Sequence, residues 1–107
     1  MSKLETLGKF LILTERCSPE RVEGVIEALD CLCARWCDGT PLCDDEWIIN
    51  SVLKQKVSLV LNIKDSGFVL SYAEESFYRQ HPAYCGGKFI SAEYFLFLVE
   101  DYLYEQA

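Results

Sequence analysis

The stretch Val57-Ser58-Leu59-Val60-Leu61-Asn62-Ile63-Lys64-Asp65-Ser66-Gly67-Phe68-Val69-Leu70-Ser71-Tyr72 decides the fold. Val57, Leu59, Leu61 and Ile63 alternate with Ser58, Val60 and Asn62, and beyond Lys64-Asp65-Ser66-Gly67 the residues Phe68, Leu70 and Tyr72 alternate again. An extended chain sends successive side chains to opposite faces, and the four residues between the two runs carry turn chemistry. The stretch therefore predicts a β-hairpin. Two strands alone are marginal in water, so the hairpin must lie against helices or recruit a further strand, for which Lys88 to Ile90 is the candidate.

Outward from the hairpin the pattern becomes helical. Upstream, Ile48, Ile49, Val52 and Leu53 share one face of a short helix that Asp44 or Asp45 can cap after the Thr40-Pro41 turn, although this β-branched content also suits a strand. Ser18-Pro19 combines an N-cap with proline at the first helical position, and Asp38-Gly39 supplies a stop, predicting a helix from about 19 to 37. Its apolar side is Val22, Val25, Ile26, Leu29, Leu32, Cys33, Trp36 and Cys37. Leu4, Leu7 and Leu11 predict another helix from Ser2 to about Thr14. Downstream, residues 74–87 are irregular, with His81-Pro82 and Gly86-Gly87 as breakers, and read as a long loop. Ser91 then caps a last helix through Glu105, with Phe95, Leu98, Val99 and Tyr102 as its core stripe. The expected architecture is a single α+β domain, about four helices packed around a small antiparallel hairpin or sheet.

Composition narrows the function. At 107 residues, 50% hydrophobic and 25% charged, the chain is large and apolar enough to bury one core, which excludes a wholly disordered protein. Seventeen acidic against ten basic residues give a net charge of −7, the wrong sign for direct nucleic-acid binding or for adhesion to anionic membranes. Apolar runs such as Tyr94 to Val99 fall far short of the roughly 20 residues that span a bilayer. The start of the chain offers only Phe10 to Leu13 as a strongly apolar run, against the roughly 7 to 15 residues of a secretory signal, which predicts a cytoplasmic protein. In that reducing setting the six cysteines are expected as free thiols.

No constellation of side chains predicts an enzyme or a bound cofactor. Cys31, Cys33, Cys37 and Cys43 fall within thirteen residues, but their spacing lacks the paired knuckles of a zinc site, and on a continuous helix Cys31 and Cys33 point about 160° apart. His81 and Cys85 sit four apart in the breaker-rich loop without a third group to orient them. Gly86-Gly87-Lys88 lacks the upstream glycine of a phosphate-binding loop. Glu74-Glu75 reads as a helix start or a solvated loop, because consecutive side chains point in different directions.

Charge distribution is the feature left unexplained. Residues 20–46 carry eight acidic and two basic residues, and residues 74–107 carry six and two, whereas residues 47–73 hold three lysines and Asp65. On the second helix Glu20, Glu23, Glu27 and Asp30 fall within an arc of about 80° that contains no Lys or Arg. Like charges at these spacings cost the helix roughly 0.2–0.5 kcal/mol per pair, and the helix dipole offsets this only for Glu20 and Glu23. On the last helix Phe97 and Tyr104 lie opposite the core stripe, beside Glu93 and Glu100, as aromatic anchors within a polar rim.

These features predict a small acidic non-catalytic binding protein, a stoichiometric inhibitor of the immunity-protein or antitoxin type that neutralises a basic protein such as a nuclease toxin or a nucleic-acid-binding effector. Its expected contact residues are Glu20, Glu23, Glu27, Asp30, Asp44, Asp45, Glu46, Phe97 and Tyr104. The alternatives are a structural or adaptor subunit that forms a homodimer through the aromatic face of the last helix, and a small zinc module on the cysteines.

Overall fold

Ser2 opens the chain with a reciprocal cap. Its hydroxyl accepts from the Glu5 amide (3.3 Å) while the Glu5 carboxylate accepts from the Ser2 amide (3.1 Å), starting helix α1 (Lys3–Leu7). The helix stops at once, because Gly8 takes φ +73°, a conformation that side chains resist. Lys9–Ile12 is therefore strand β1 and not the continuation of a helix. Phe10, Leu11 and Ile12 are all fully buried, as a central strand covered on both faces requires. The computed structural model describes residues 2–44 and 46–106 of the chain, the side chain of Cys43 excepted.

Helix α2 (Pro19–Cys31) begins where expected, with the Ser18 hydroxyl accepting from the Arg21 amide (3.3 Å). It ends six residues before the expected stop. Cys33 adopts φ +57°, its amide donates to Asp30 O (2.9 Å), and the Ala34 amide donates to Leu29 O (3.1 Å), the paired bonds of a Schellman closure. Beyond it Leu32, Ala34 and Trp36 are buried while Cys33 and Arg35 are exposed, so the period has become two and Arg35–Trp36 forms β2. Helix α3 (Glu46–Leu53) takes the helical alternative, burying Ile48 and Val52.

The hairpin forms as β3 (Ser58–Lys64) and β4 (Gly67–Ala73), in unbroken antiparallel register from Ser58↔Ala73 to Lys64↔Gly67. The segment expected to be a loop contains a helix, α4 (Glu75–Gln80), and a 3-10 turn over Pro82–Cys85. Phe89–Ile90 supplies strand β5, and Ala92–Gln106 is helix α5. The sheet order is β2-β4-β3-β1-β5, with β2 parallel to β4 and β5 parallel to β1, so the expected antiparallel sheet is a mixed one.

The α+β class stands, the described residues forming five helices on a five-stranded mixed sheet in a single compact domain. Helices α1, α2, α3 and α5 cover one face, where Phe10, Ile12, Leu59, Leu61 and Leu70 meet Val25, Leu29, Val52, Phe95 and Leu98. Each such fully buried side chain contributes about 1.5–3 kcal/mol. The second face is covered by a smaller cluster, Tyr78 and Cys85 lying on Leu11 and Val60. Among the described residues no helix is long and apolar enough to cross a membrane.

Candidate interaction surfaces

Burial of Val22, Val25 and Leu29 against the sheet fixes the rotation of α2 and turns Glu20, Glu23, Glu27 and Asp30 outward, where all four are exposed. Among the described residues Glu20, Glu23 and Glu27 have neither a counter-ion nor a hydrogen-bond partner for their carboxylates. Burial of Phe95, Leu98 and Val99 does the same for α5, leaving Phe97 54% and Tyr104 84% exposed and placing Glu93 and Glu100 beside them. The ring of Phe97 stacks on that of Tyr94, which is also exposed (centroids 6.4 Å apart).

The two helices lie side by side on the same face of the sheet, Gly24 facing Leu96, and an ion pair from Arg21 to Glu93 (3.5 Å) bridges them. The acidic stripe and the aromatic face thus lie on the outward sides of two neighbouring helices, a relation that sequence spacing does not reveal. Asp44 closes a 3-10 turn and Glu46 opens α3, both exposed on elements packed against α2. Asp45 lies outside the described residues.

The cysteines are scattered. Cys31, Cys33 and Cys37 are exposed at successive turns of the chain, Cys17 is half-buried, and Cys85 is fully buried with its thiol donating to Pro82 O (3.5 Å). The expected place of Cys33 in the core is corrected by the early end of α2. Among the described residues no group of three or more His, Cys, Asp or Glu is gathered in the manner of a metal site. Burial pushes the Cys17 thiol above its ordinary pKa, with Glu93 acting in the same direction. His81 packs its ring against Phe77 and Tyr84 (centroids 4.9 and 6.1 Å) and makes no hydrogen bond to Cys85.

Glu74-Glu75 marks a helix start, one of the two readings expected for it, and Glu75 is buried there. It is the first residue of α4, and its carboxylate, only 10% exposed, accepts from Arg16 Nε at 3.0 Å, from the Arg16 terminal amine, and from Arg79 Nε at 3.3 Å. Glu15 completes the clamp, accepting from the Ser58 hydroxyl and the Glu75 amide, both at 2.6 Å. Burial tends to raise the Glu75 pKa, but the two guanidiniums outweigh it and hold the carboxyl below its ordinary value. This network fastens α4 to the sheet. Tyr78 of the same helix is pushed above the usual phenol value by burial, partly offset by its hydrogen bond to Ser71.

A groove of about 450 Å³ opens at the free edge of the sheet, lined by Trp36, Asp38, Thr40, Ile48, Leu70 and Tyr72 among others. The Trp36 indole donates to Leu42 O (3.1 Å), and Tyr72 makes edge contacts with both Trp36 (5.8 Å) and Trp47 (6.4 Å). Trp47 is 68% exposed beside it. Sequence reading missed this site, although Trp47 stands about 120° off the face marked by Ile48 and Val52, which signals an outward ring. No protein-family model, curated protein or solved structure matches the chain.

Proposed function

We propose that the chain is a non-catalytic binding protein that neutralises a basic partner, a stoichiometric inhibitor of the immunity-protein or antitoxin type, and that it docks through the outer surface of α2 and α5. The observation that carries this reading is the uncompensated stripe of Glu20, Glu23 and Glu27 on the outward side of α2, with the exposed rings of Phe97 and Tyr104 on the outward side of the helix packed beside it. A carboxylate stripe without counter-ions steers a basic protein towards it and repels acidic ones, and exposed aromatic rings supply the anchors that hold it. A nuclease or a nucleic-acid-binding effector has the required charge.

The stacked, exposed Tyr94–Phe97 pair also fits a second reading, a homodimer through α5. Sedimentation of the pure chain separates the two readings, a monomer favouring the inhibitor. The partner is captured from the native host, purified, and its binding kinetics measured. Glu23→Gln with Glu27→Gln should keep the fold, slow association and flatten its dependence on salt, whereas Phe97→Ala should mainly speed dissociation. Unchanged association rate and salt slope for the double variant would defeat the reading.

A further inference from the structure

We infer that the open end of β4 is a strand-addition site, at which an extended basic segment of a partner protein pairs with the outward amide and carbonyl of Tyr72 and sets an apolar side chain into the groove beside Trp36 and Tyr72. The edge is half covered. Strand β2 pairs only with Val69 and Leu70, and then the chain leaves the sheet in a turn closed by Gly39 N–H to Trp36 O (2.8 Å) and Trp36 N–H to Thr40 O (2.9 Å). Ser71 and Ala73 pair with Val60 and Ser58 of β3, and among the described residues no backbone hydrogen bond from a loop or turn reaches Tyr72. In an antiparallel ladder alternate residues turn both their amide and their carbonyl away from the partner strand. The Ile63 amide donates to Gly8 O on the β1 side, so Val60 and Ser58 face Ser71 and Ala73, and Tyr72 is the residue whose pairing groups face the open edge.

The open stretch is short, which limits pairing to one segment of an extended chain, but Ser71-Tyr72-Ala73 carries no lysine, proline or bulge and keeps an unbroken register with β3. The groove lies at the same place, where one alternate side chain of an added strand would point. Main-chain pairing with a pocket for alternate side chains is the mode by which domains take up extended peptides.

Charge selects the occupant. Asp38 lines the groove, Asp44 and Glu46 stand on the elements that flank it, and Glu74 follows the open stretch, while no Lys or Arg is among the lining residues. The Asp38 carboxylate accepts from the Thr40 amide (3.0 Å) and hydroxyl (2.7 Å), bonds that lower its pKa and keep it charged. The nearby Arg35 guanidinium is turned onto Gly39 O (3.0 Å). Two copies meeting edge to edge would bring these carboxylates together, which disfavours self-pairing and favours a strand bearing Lys or Arg. The site lies at the sheet edge and not on the outward side of α2, and it stands independently of the reading given for that surface.

A library of random dodecapeptides displayed on phage is panned against the full chain, and the enriched peptide is synthesised. The expected sequences alternate apolar residues with Lys or Arg. Amide shifts on titration should centre on Ser71–Ala73, and tryptophan emission should change, since Trp36 and Trp47 both border the site. A proline at the centre of the peptide, or Trp47→Ala in the chain, should weaken binding by about tenfold or more, as loss of a main-chain pair or an aromatic anchor does. Glu23→Gln with Glu27→Gln should leave this affinity unchanged. The inference is overturned if no peptide is enriched, if the shifts fall on α2 and α5, if the central proline is tolerated, or if the chain dimerises through β4.

Discussion

Replacing Glu75 by Gln should loosen α4 from the sheet, and the size of the effect follows from the clamp. The carboxylate is nearly buried and accepts from Arg16 on both oxygens and from Arg79, whereas the arginine side chains are 63% and 47% exposed. A hydrogen bond to a charged group contributes about 1.5–3 kcal/mol when shielded, but solvent around the guanidiniums screens the ionic part towards the 0–1 kcal/mol of surface pairs. Glutamine keeps the shape and one acceptor, so the expected loss is about 1–2 kcal/mol. For a chain of this size that lowers the melting temperature by roughly 5–10 °C.

The pH dependence has a definite sign. The folded pKa of Glu75 is depressed below its ordinary 4.5, so the contribution is complete above that value and disappears as pH falls through the folded pKa. Thermal melts of the parent and Glu75→Gln from about pH 7 to pH 3 should therefore converge at the acid end. Equal melting temperatures at neutral pH, or a gap that survives undiminished in acid, would refute the clamp.

Two further outcomes test the packing. Gly86 takes φ +66°, and a Cβ there would stand 2.8 Å from Lys9 O, whereas Gly87 at φ +72° has nothing within 4 Å. Both alanine variants carry the left-handed penalty, but Gly86→Ala should cost at least about 1 kcal/mol more in urea unfolding because it crowds the backbone of β1. Equal losses would show that the 3-10 turn yields freely. Thiol titration should find six groups in denaturant without reductant, and in the native protein fast reaction at the exposed Cys31, Cys33 and Cys37 with Cys85 protected until unfolding. A deficit of two or four groups in denaturant would reveal disulfides.

The amino-acid sequence by itself determined what local chemistry controls. The β3–β4 hairpin follows from alternation around Lys64 to Gly67, the start of α2 from Ser18-Pro19, and the orientation of α2 and α5 from their apolar stripes. Because a helical stripe fixes its opposite face, the outward Glu20, Glu23, Glu27, Asp30, Phe97 and Tyr104 were legible too. Tertiary structure decided the rest. A run such as Phe10-Leu11-Ile12 suits a buried strand as well as a helix, and only pairing with Leu59–Leu61, nearly fifty residues away, selects the strand. Strands β2 and β5 have two residues each, too short to carry a period, and exist because β4 and β1 offer edges. Glu75 acquires its role from Arg16, 59 residues distant, and the groove exists only where α3, β2 and β4 meet. Caps and periodicities are written in neighbouring residues, whereas sheet order, long-range ion pairs and concave surfaces arise between residues that only the folded chain brings together.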